Sequence, residues 1–219
     1  TGGLTRITDK RRVRRDLADV FCTLEEGVKG QRALDWQLVD EIVPASDFDS
    51  AVEKSAQKLA ATSDRPSEGK GIVLEPLKRR STPDHLAYCA VDLTISRDVG
   101  VATLTISGPQ SPPPTDLTEL INSGSAFWPL STARELDDAI LYLRFNEPEI
   151  GVLKFASHGD LSRVLSYDQF LEQNSDHWLC REIRLYWKRV LKRLDVTSRS
   201  MISVIEPGSC FAGTLAEII

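Results

Sequence analysis

The alternation of apolar and polar residues over residues 91–107 constrains the fold more than any other feature. Val91, Leu93 and Ile95 alternate with polar residues, a turn follows at residues 97–100, and a second run covers residues 101–107. Period-two alternation on both sides of a short connection predicts an antiparallel β-hairpin. The chain therefore contains a β-sheet.

Two further apolar runs are typical of buried strands. They cover residues 150–156 and 201–205, and a long helical stretch at about residues 167–194 lies between them. A strand, a helical crossover and a second strand predict a parallel, right-handed βαβ unit. The predicted fold class is therefore α/β.

A proline-rich stretch precedes the first of these strands. Residues 108–129 hold five of the eleven prolines, which predicts a long loop that is either functional or disordered. Thr132 and Glu135 are then expected to form a capping box for a helix that ends near Asn146.

The first 62 residues are predicted to be mainly helical. Helices are expected over residues 9–24, 33–38 and 46–60, with a small strand over residues 41–43. The last of these helices is expected to bury a face formed by Phe48, Val52, Ala56 and Leu59.

A change in composition separates the two halves. Residues 63–71 are polar and interrupted by proline and glycine, and a basic run follows at residues 78–80. We therefore predict a first domain over residues 1–62, a linker over residues 63–84 and a second domain over residues 85–219.

Charge, hydropathy and cysteine usage exclude several classes of protein. The net charge of −5 argues against nucleic-acid binding, and no apolar run approaches the roughly 18 residues of a membrane span. The four cysteines are far apart, and the three histidines show no metal-ligand spacing. We therefore expect a reduced, cytoplasmic protein with no metal site.

The two ends of the sequence suggest a piece of a longer protein. The only methionine is Met201, so Thr1 is expected to follow a processing event or removed sequence. The last residues begin a new helix and carry no stop signal.

The turn after residues 201–205 is the most informative candidate site. Gly208 and Gly213 bracket small residues that lead into a helix near Thr214, an arrangement that can direct backbone N–H groups at an anion or a carbonyl oxygen. Glu217 is near enough to donate or accept a proton. The alternative is an ordinary turn with a solvated glutamate, because isolated glycine motifs are weak signals.

Two features near the start of the chain could also contact a ligand. Gly2 and Gly3 suit a close backbone approach to a ligand, or simply a tight turn. The basic residues between Lys10 and Arg15 could bind phosphate, although a solvated basic surface is the preferred interpretation.

Two other candidates for nucleophilic chemistry are not favoured. Ser157, His158 and Asp160 are too close in sequence to adopt triad geometry. Cys210 has no obvious base beside it and is interpreted as a buried structural thiol.

These motifs resemble the crotonase (enoyl-CoA hydratase/isomerase) superfamily in two halves. The opening resembles the later part of a crotonase domain, and the helix ELDDAI and the turn GSCFAGTLAE resemble the early part of another. The positions that carry the first match are Gly2, Gly3, Gly27, Ala33, Leu38, Val39 and Pro44. The resemblance implies a crotonase-like ββα spiral fold, present as two partial copies.

The resemblance also implies roles for individual residues. Crotonases hold a thioester oxygen with two backbone N–H groups and use glutamates as acid and base. Glu217 matches the first family glutamate, and Thr214, after Gly213, matches one N–H donor; Gly2 and Gly3 follow the position of a glutamate in the first copy. The family's glycine triplet is reduced here to Gly213-Thr214-Leu215, so a purely structural second copy is the alternative.

The amino-acid sequences of both halves are also similar in detail to those of ring-opening lyases in this superfamily. That similarity implies opening of 2,3-epoxybenzoyl-CoA with water, which releases formate and an unsaturated aldehyde acyl-CoA in aerobic benzoate breakdown. It implies an acyl-CoA substrate, no separate cofactor and a homo-oligomeric parent protein, and we expect no activity from this chain alone. The rival interpretations are a hydratase or isomerase acting on a linear enoyl-CoA, and a non-catalytic repeat that supports dimerisation.

Overall fold

A six-stranded sheet organises the larger part of the chain. The computed structural model describes Gly3, residues 6–64 and residues 69–219. Gly2, a predicted substrate-binding residue, lies outside the described residues. The chain divides into two units, residues 1–69 and residues 70–219, which are described separately.

The first unit consists of short helical segments. In chain order they are a π-helical turn at Arg6–Lys10, helices α1 (Arg15–Thr23) and α2 (Gly30–Asp35), a 3-10 turn at Ala45–Asp47 and helix α3 (Phe48–Ala61). The predicted helix over residues 9–24 is therefore interrupted, and the residue at the break, Arg12, has a φ of 61°. That conformation lies outside the right-handed helical region and ends the first turn.

Two predictions for this unit are wrong. Residues 41–43 are not a strand, and they pair with no strand among the residues that the structure describes. The face of α3 expected to be buried is exposed: Phe48 is 58% and Leu59 is 71% accessible, and no residue of α3 is buried. The periodicity predicted a helix correctly, but burial of that face requires a neighbouring element, and no element among the described residues of the first unit covers α3.

The basic residues near the start form ion pairs at the surface. Arg11 contacts Asp40 at 3.1 Å, and Arg15 contacts Asp19 at 3.0 Å one helical turn along α1. This arrangement agrees with the interpretation of the run as a solvated surface.

The second unit contains the sheet. Its strands are β1 (Arg80–Thr82), β2 (His85–Ala87), β3 (Val91–Ser96), β4 (Val101–Ser107), β5 (Val152–His158) and β6 (Ser200–Ser203). They lie side by side in chain order, and all pairs up to β3–β4 are antiparallel. The pairs β4–β5 and β5–β6 are parallel.

The predicted hairpin is confirmed. Strands β3 and β4 pair with Leu93 opposite Leu104, and the 3-10 turn Arg97–Val99 joins them. Gly100 ends that turn with a φ of 66°, a left-handed conformation that glycine adopts at no steric cost. Strand β1, at the edge of the sheet beside β2, lies within residues 63–84, which were predicted to form a linker.

The predicted parallel βαβ unit is confirmed between β5 and β6. Phe155 of β5 pairs with Ser203 of β6, and helices cross between the two strands. The expected burial of the later strand is wrong: Met201 and Ile202 are 43% and 52% exposed. The reason is position, because β6 is the edge strand of the described sheet and α/β burial is complete only for interior strands.

The second unit also contains four α-helices: α4 (Leu117–Ser123), α5 (Trp128–Asn146), α6 (Leu161–Gln173) and α7 (Trp178–Asp195). Helix α4 lies inside the predicted proline-rich loop. The single long helix predicted over residues 167–194 is two helices, α6 and α7. Asn174 ends α6 and donates a side-chain hydrogen bond to the Phe170 carbonyl at 2.9 Å.

The predicted capping box is wrong. Helix α5 begins at Trp128, with a proline in its first turn, a position that suits proline because its missing N–H is not needed there. Thr132 and Glu135 are therefore inside the helix and buried. Glu135 accepts hydrogen bonds from the N–H groups of Ala90 and Val91 at 2.7 and 3.1 Å, which fastens α5 to the start of β3.

The core lies between the sheet and the helices. Its largest fully buried side chains include Leu93, Leu104, Ile140 and Phe155. Trp187 of α7 donates its indole N–H to the Pro129 carbonyl at 2.8 Å and joins α7 to α5. The chain is thus a mixed α/β protein, as predicted, while the crotonase-like spiral and the two partial copies stay predictions. None of the helices in the described ranges is long and apolar enough to cross a membrane.

Candidate functional site

The predicted turn after β6 contains a short 3-10 segment, Gly213–Ile218, rather than an α-helix. It is held to the sheet by a hydrogen bond from the Ser203 hydroxyl to the Ile218 carbonyl at 3.0 Å. Gly213 has a φ of 49°, and a Cβ atom at this position would fall on the carboxylate of Asp168. Both the backbone conformation and the available space therefore require glycine here.

Asp168 of α6 occupies the donors of the neighbouring residue. The Thr214 N–H donates to Asp168 Oδ2 at 2.6 Å, and the Thr214 hydroxyl donates to Oδ1 at 2.7 Å. Both hydrogen bonds to a carboxylate are charge-assisted and belong to the stronger class. The N–H group assigned to a thioester oxygen by resemblance is thus engaged by a side chain of the same unit.

The other predicted site residues that the structure describes are Glu217 of the second unit and Gly3 of the first unit. Glu217 lies in the same 3-10 segment and is exposed. Gly3 belongs to the first unit, and among the described residues that are not its neighbours in the chain, no atom lies within 4 Å of the position that a Cβ would take there. The structure therefore brings together Gly213, Thr214 and Asp168, of which sequence reasoning named only the first two.

A small cavity of about 360 Å³ adjoins this turn. Asp168, Glu172, Arg184 and Thr214 are among its lining residues. Arg184 and Glu172 form an ion pair at 2.7 Å across it. The charged groups that line this cavity are therefore already engaged, Arg184 with Glu172 and Asp168 with Thr214.

A larger pocket, which sequence reasoning missed, lies at the carboxyl ends of β4 and β5. We call it the Ser107 pocket, and its volume is about 920 Å³. Ser107 is the last residue of β4 and His158 the last of β5, and the parallel register places them side by side. Ser107 Oγ lies 3.1 Å from His158 Nε2, so the two side chains share a hydrogen bond at the pocket wall.

A proline-rich segment, residues 109–115, forms one rim of the Ser107 pocket. Tyr167 of α6 donates its hydroxyl to the Pro112 carbonyl at 3.2 Å, and the Arg163 guanidinium donates to the Gln110 carbonyl. At the far end, Glu119 of α4 accepts from the Thr115 N–H at 2.8 Å. The loop predicted from the prolines is therefore fixed to the helices on both sides.

Aromatic side chains form another part of the wall. The rings of Phe127 and Trp128 each lie 5.5 Å from the ring of Tyr167, at tilted angles. Trp128 also donates its indole N–H to the Ser107 carbonyl at 3.1 Å. These contacts fix the aromatic side chains relative to the Ser107–His158 pair.

The base of the pocket depends on close packing of two glycines. The Gly108 N–H donates to the His158 carbonyl at 2.8 Å, and a Cβ on Gly159 would lie 2.9 Å from the Gly108 Cα. The Cys210 thiol is buried beneath them, and burial raises its pKa. This supports the interpretation of Cys210 as a structural thiol, since a protonated, enclosed sulfur is a poor nucleophile.

Ser157 and His158 at the end of β5 do not form a triad with Asp160, in agreement with the prediction. Ser157 accepts a hydrogen bond from the Cys210 N–H at 3.0 Å, whereas Asp160 caps α6 through the Ser162 N–H at 2.9 Å. His158 faces Ser107 instead. Within the residues that the structure describes, no group of three or more histidine, cysteine or acidic side chains could hold a metal ion.

One sequence signal could have revealed the Ser107 pocket. In open α/β sheets, ligands bind at the carboxyl ends of parallel strands, and the predicted βαβ unit has the end of its first strand just before His158, although it did not include the strand that ends at Ser107. What the pattern could not supply was the register that sets the two side chains opposite each other.

Comparison with known proteins gives one informative match. No family model matches the chain. A relative of this chain is, however, an enzyme of the lyase class. It is the benzoyl-CoA-dihydrodiol lyase of Aromatoleum evansii, which is 49% identical over 218 residues. The match covers 100% of this chain and 39% of the length of that lyase. The similarity inferred from the opening and closing motifs is thereby confirmed.

Proposed function

We propose that this chain forms part of a lyase that acts on a benzoyl-CoA-dihydrodiol or its epoxide. The observation that carries the proposal is the 49% identity, which extends over 218 residues without being confined to one motif. The expected reaction is the opening of 2,3-epoxybenzoyl-CoA with water, giving formate and an unsaturated aldehyde acyl-CoA. The proposed reaction would use no metal and no separate cofactor, and the parent protein would be a cytoplasmic homo-oligomer.

The finer fold assignment belongs to the same proposal. Residues 85–219 would form the early part of a crotonase-like ββα spiral, and residues 1–62 the later part of another copy. A hairpin followed by two parallel crossovers supports the first assignment, because that order of elements carries the resemblance.

The chemistry would use backbone donors and carboxylates. N–H groups that point at a thioester oxygen stabilise negative charge on it, and a glutamate can move a proton at the adjacent carbon. Glu217 would supply the acid or base. Gly213 and Thr214 would contact a substrate through their backbone in the second copy, and Gly2 and Gly3 would do so in the first copy.

A second candidate role is a non-catalytic repeat that supports the assembled enzyme. The hydrogen bond from the Thr214 N–H to Asp168 favours it, since this donor reaches a thioester oxygen only if Asp168 is displaced. In that case the turn after β6 would fasten α6 to the sheet and take no part in chemistry.

A chimera tests the proposed activity. The segment of the Aromatoleum evansii lyase that matches this chain would be replaced by the 219 residues, and formate release from 2,3-epoxybenzoyl-CoA would be measured. We expect formate from the chimera and none from the 219-residue chain alone. A correctly folded chimera that hydrates crotonyl-CoA but leaves the epoxide unchanged would support the generic hydratase instead.

Glu217→Gln in the same chimera separates the catalytic turn from the structural repeat. A large fall in kcat with an unchanged circular dichroism spectrum supports a catalytic Glu217. Unchanged kcat and KM support the structural repeat. Glu182→Gln, on exposed surface of α7, is the matched control for loss of one carboxylate.

A further inference from the structure

The Ser107 pocket has the size and position of a small-molecule site. Its volume of about 920 Å³ lies within the range of roughly 300–1,000 Å³ typical of ligand pockets. It opens at the carboxyl ends of the parallel strands β4 and β5, which is where open α/β sheets bind ligands. The cavity beside the turn after β6, about 360 Å³, also lies within this range, but the donors of Thr214 there are already occupied by Asp168.

The pocket is already organised. Side chains from α4 and α6 fix the proline-rich rim, and Trp128 is held by its hydrogen bond to the Ser107 carbonyl at 3.1 Å. Prolines add stiffness because their φ angles are fixed. A ligand that enters does not have to order these walls, which favours binding.

The wall chemistry selects a flat apolar group. Phe127, Trp128 and Tyr167 line the pocket together with Pro112 and its neighbouring prolines, and of the three aromatic residues only Trp128 is not buried. Aromatic side chains pack favourably on another ring in tilted or offset arrangements. The walls therefore suit an aromatic or cyclohexadiene ring.

The charges that line the pocket indicate whether the acid group on the ring is bound as a free carboxylate or as a thioester. The described lining residues include Glu119 and no lysine or arginine. A free carboxylate or phosphate would meet no lysine or arginine in this lining and would lie close to a like charge. The ring would therefore be carried as a neutral thioester, with the phosphates of any coenzyme outside the pocket.

The Ser107–His158 pair supplies the specific polar contact. A hydroxyl can donate and accept, and a neutral imidazole does the same through its two nitrogens. Ser107 Oγ and His158 Nε2 lie 3.1 Å apart, so the pair offers both a hydrogen-bond donor and an acceptor beside the aromatic wall. An oxygen substituent on the ring is the group that such a pair recognises.

We propose that the Ser107 pocket binds the oxygenated ring of an aromatic acyl thioester, with Ser107 and His158 as the residues that select the ring oxygen. This inference rests on the proposed function and adds to it the site, the part of the substrate bound and the residues that select it.

Calorimetric binding to the 219-residue chain tests the proposal. The probes are the N-acetylcysteamine thioesters of 3-hydroxybenzoate and of benzoate, and free 3-hydroxybenzoate. We expect the hydroxylated thioester to bind about tenfold more tightly than the benzoyl thioester, the equivalent of one net hydrogen bond. The free acid should not bind.

Variants then locate the binding. Ser107→Ala should remove the tenfold preference for the hydroxylated thioester over the benzoyl thioester. Asn122→Trp, which places a large ring at the pocket lining, should abolish binding of both thioesters. His85→Gln is the control, because His85 also shares a hydrogen bond with a neighbouring polar side chain, Asp92, but does not line the pocket.

Several results would overturn the assignment. They are no binding of either thioester, tighter binding of the free acid, or a preference that survives Ser107→Ala in a folded chain. Failure of the proposed function has a different signature. If the thioesters bind with the expected preference while the chimera releases no formate, the pocket stands and the lyase activity does not.

Discussion

The carboxylate of Asp168 accepts both polar hydrogens of Thr214, from the backbone N–H at 2.6 Å and from the hydroxyl at 2.7 Å. This pair connects α6 to the 3-10 segment at the end of the chain, 46 residues further along. It also explains why Gly213 precedes Thr214, since a side chain there would collide with the same carboxylate.

Removal of the Asp168 carboxylate should destabilise the second unit. Asp168→Ala leaves the Thr214 N–H without its acceptor, and the loss of a charge-assisted hydrogen bond of this kind costs about 1–3 kcal/mol. Asp168→Asn, which keeps one oxygen acceptor, should cost less. Urea unfolding of both variants measures the difference, with Asp176→Ala at an exposed position as the control. Equal stability of all three variants would contradict a structural role for the pair.

A side chain at Gly213 should be harmful for two separable reasons. Gly213→Ala introduces backbone strain at a φ of 49° and a collision with Asp168, and strain of this kind costs about 1–3 kcal/mol. In the double variant Gly213→Ala/Asp168→Ala the collision is relieved but the strain stays. A double-mutant cycle on unfolding free energies should therefore show coupling between the two positions. Simple additivity would mean that the collision is avoided by a shift of the turn.

Glu135 should make stability depend on pH. Burial raises its pKa above the usual value of 4.5. A raised carboxyl pKa adds stability below the unfolded-state pKa, and that contribution is lost as pH rises through the folded-state pKa. Glu135→Gln keeps an oxygen for the Ala90 and Val91 N–H groups but does not titrate.

The measurement is urea unfolding of both proteins between pH 4 and pH 7. The unfolding free energy of the parent should fall relative to that of Glu135→Gln as the pH rises. A constant difference would contradict the raised pKa. Glu135→Leu, which leaves two buried N–H groups without an acceptor, should be less stable than Glu135→Gln at every pH, by about 1–3 kcal/mol for each group.

The four thiols should fall into two classes. Cys22 and Cys89 are exposed, whereas Cys180 and Cys210 are buried and burial raises the pKa of both. Thiolates rather than thiols are alkylated, so iodoacetamide should modify the first pair in the native chain and the second pair only after unfolding. Mass spectrometry of peptides identifies the modified residues. Rapid native modification of Cys210 would contradict its enclosed position under Gly108 and Gly159.

Local sequence patterns determined those elements whose formation depends on near neighbours. The β3–β4 hairpin follows from alternation around a short turn, and the helical character of α3 follows from its periodicity. The similarity to a known lyase also rests on contiguous motifs at the two ends of the chain. None of these conclusions needs a contact between distant residues.

Tertiary structure decided everything that depends on which surfaces meet. The same periodicity that made α3 a helix could not show that its apolar face is exposed, because burial depends on a neighbouring element. The start of α5 at Trp128 rather than near Thr132 follows from packing that buries Glu135 against β3. The Ser107–His158 pair and the engagement of Thr214 by Asp168 join residues 51 and 46 positions apart, and only the strand register and helix packing bring such side chains together.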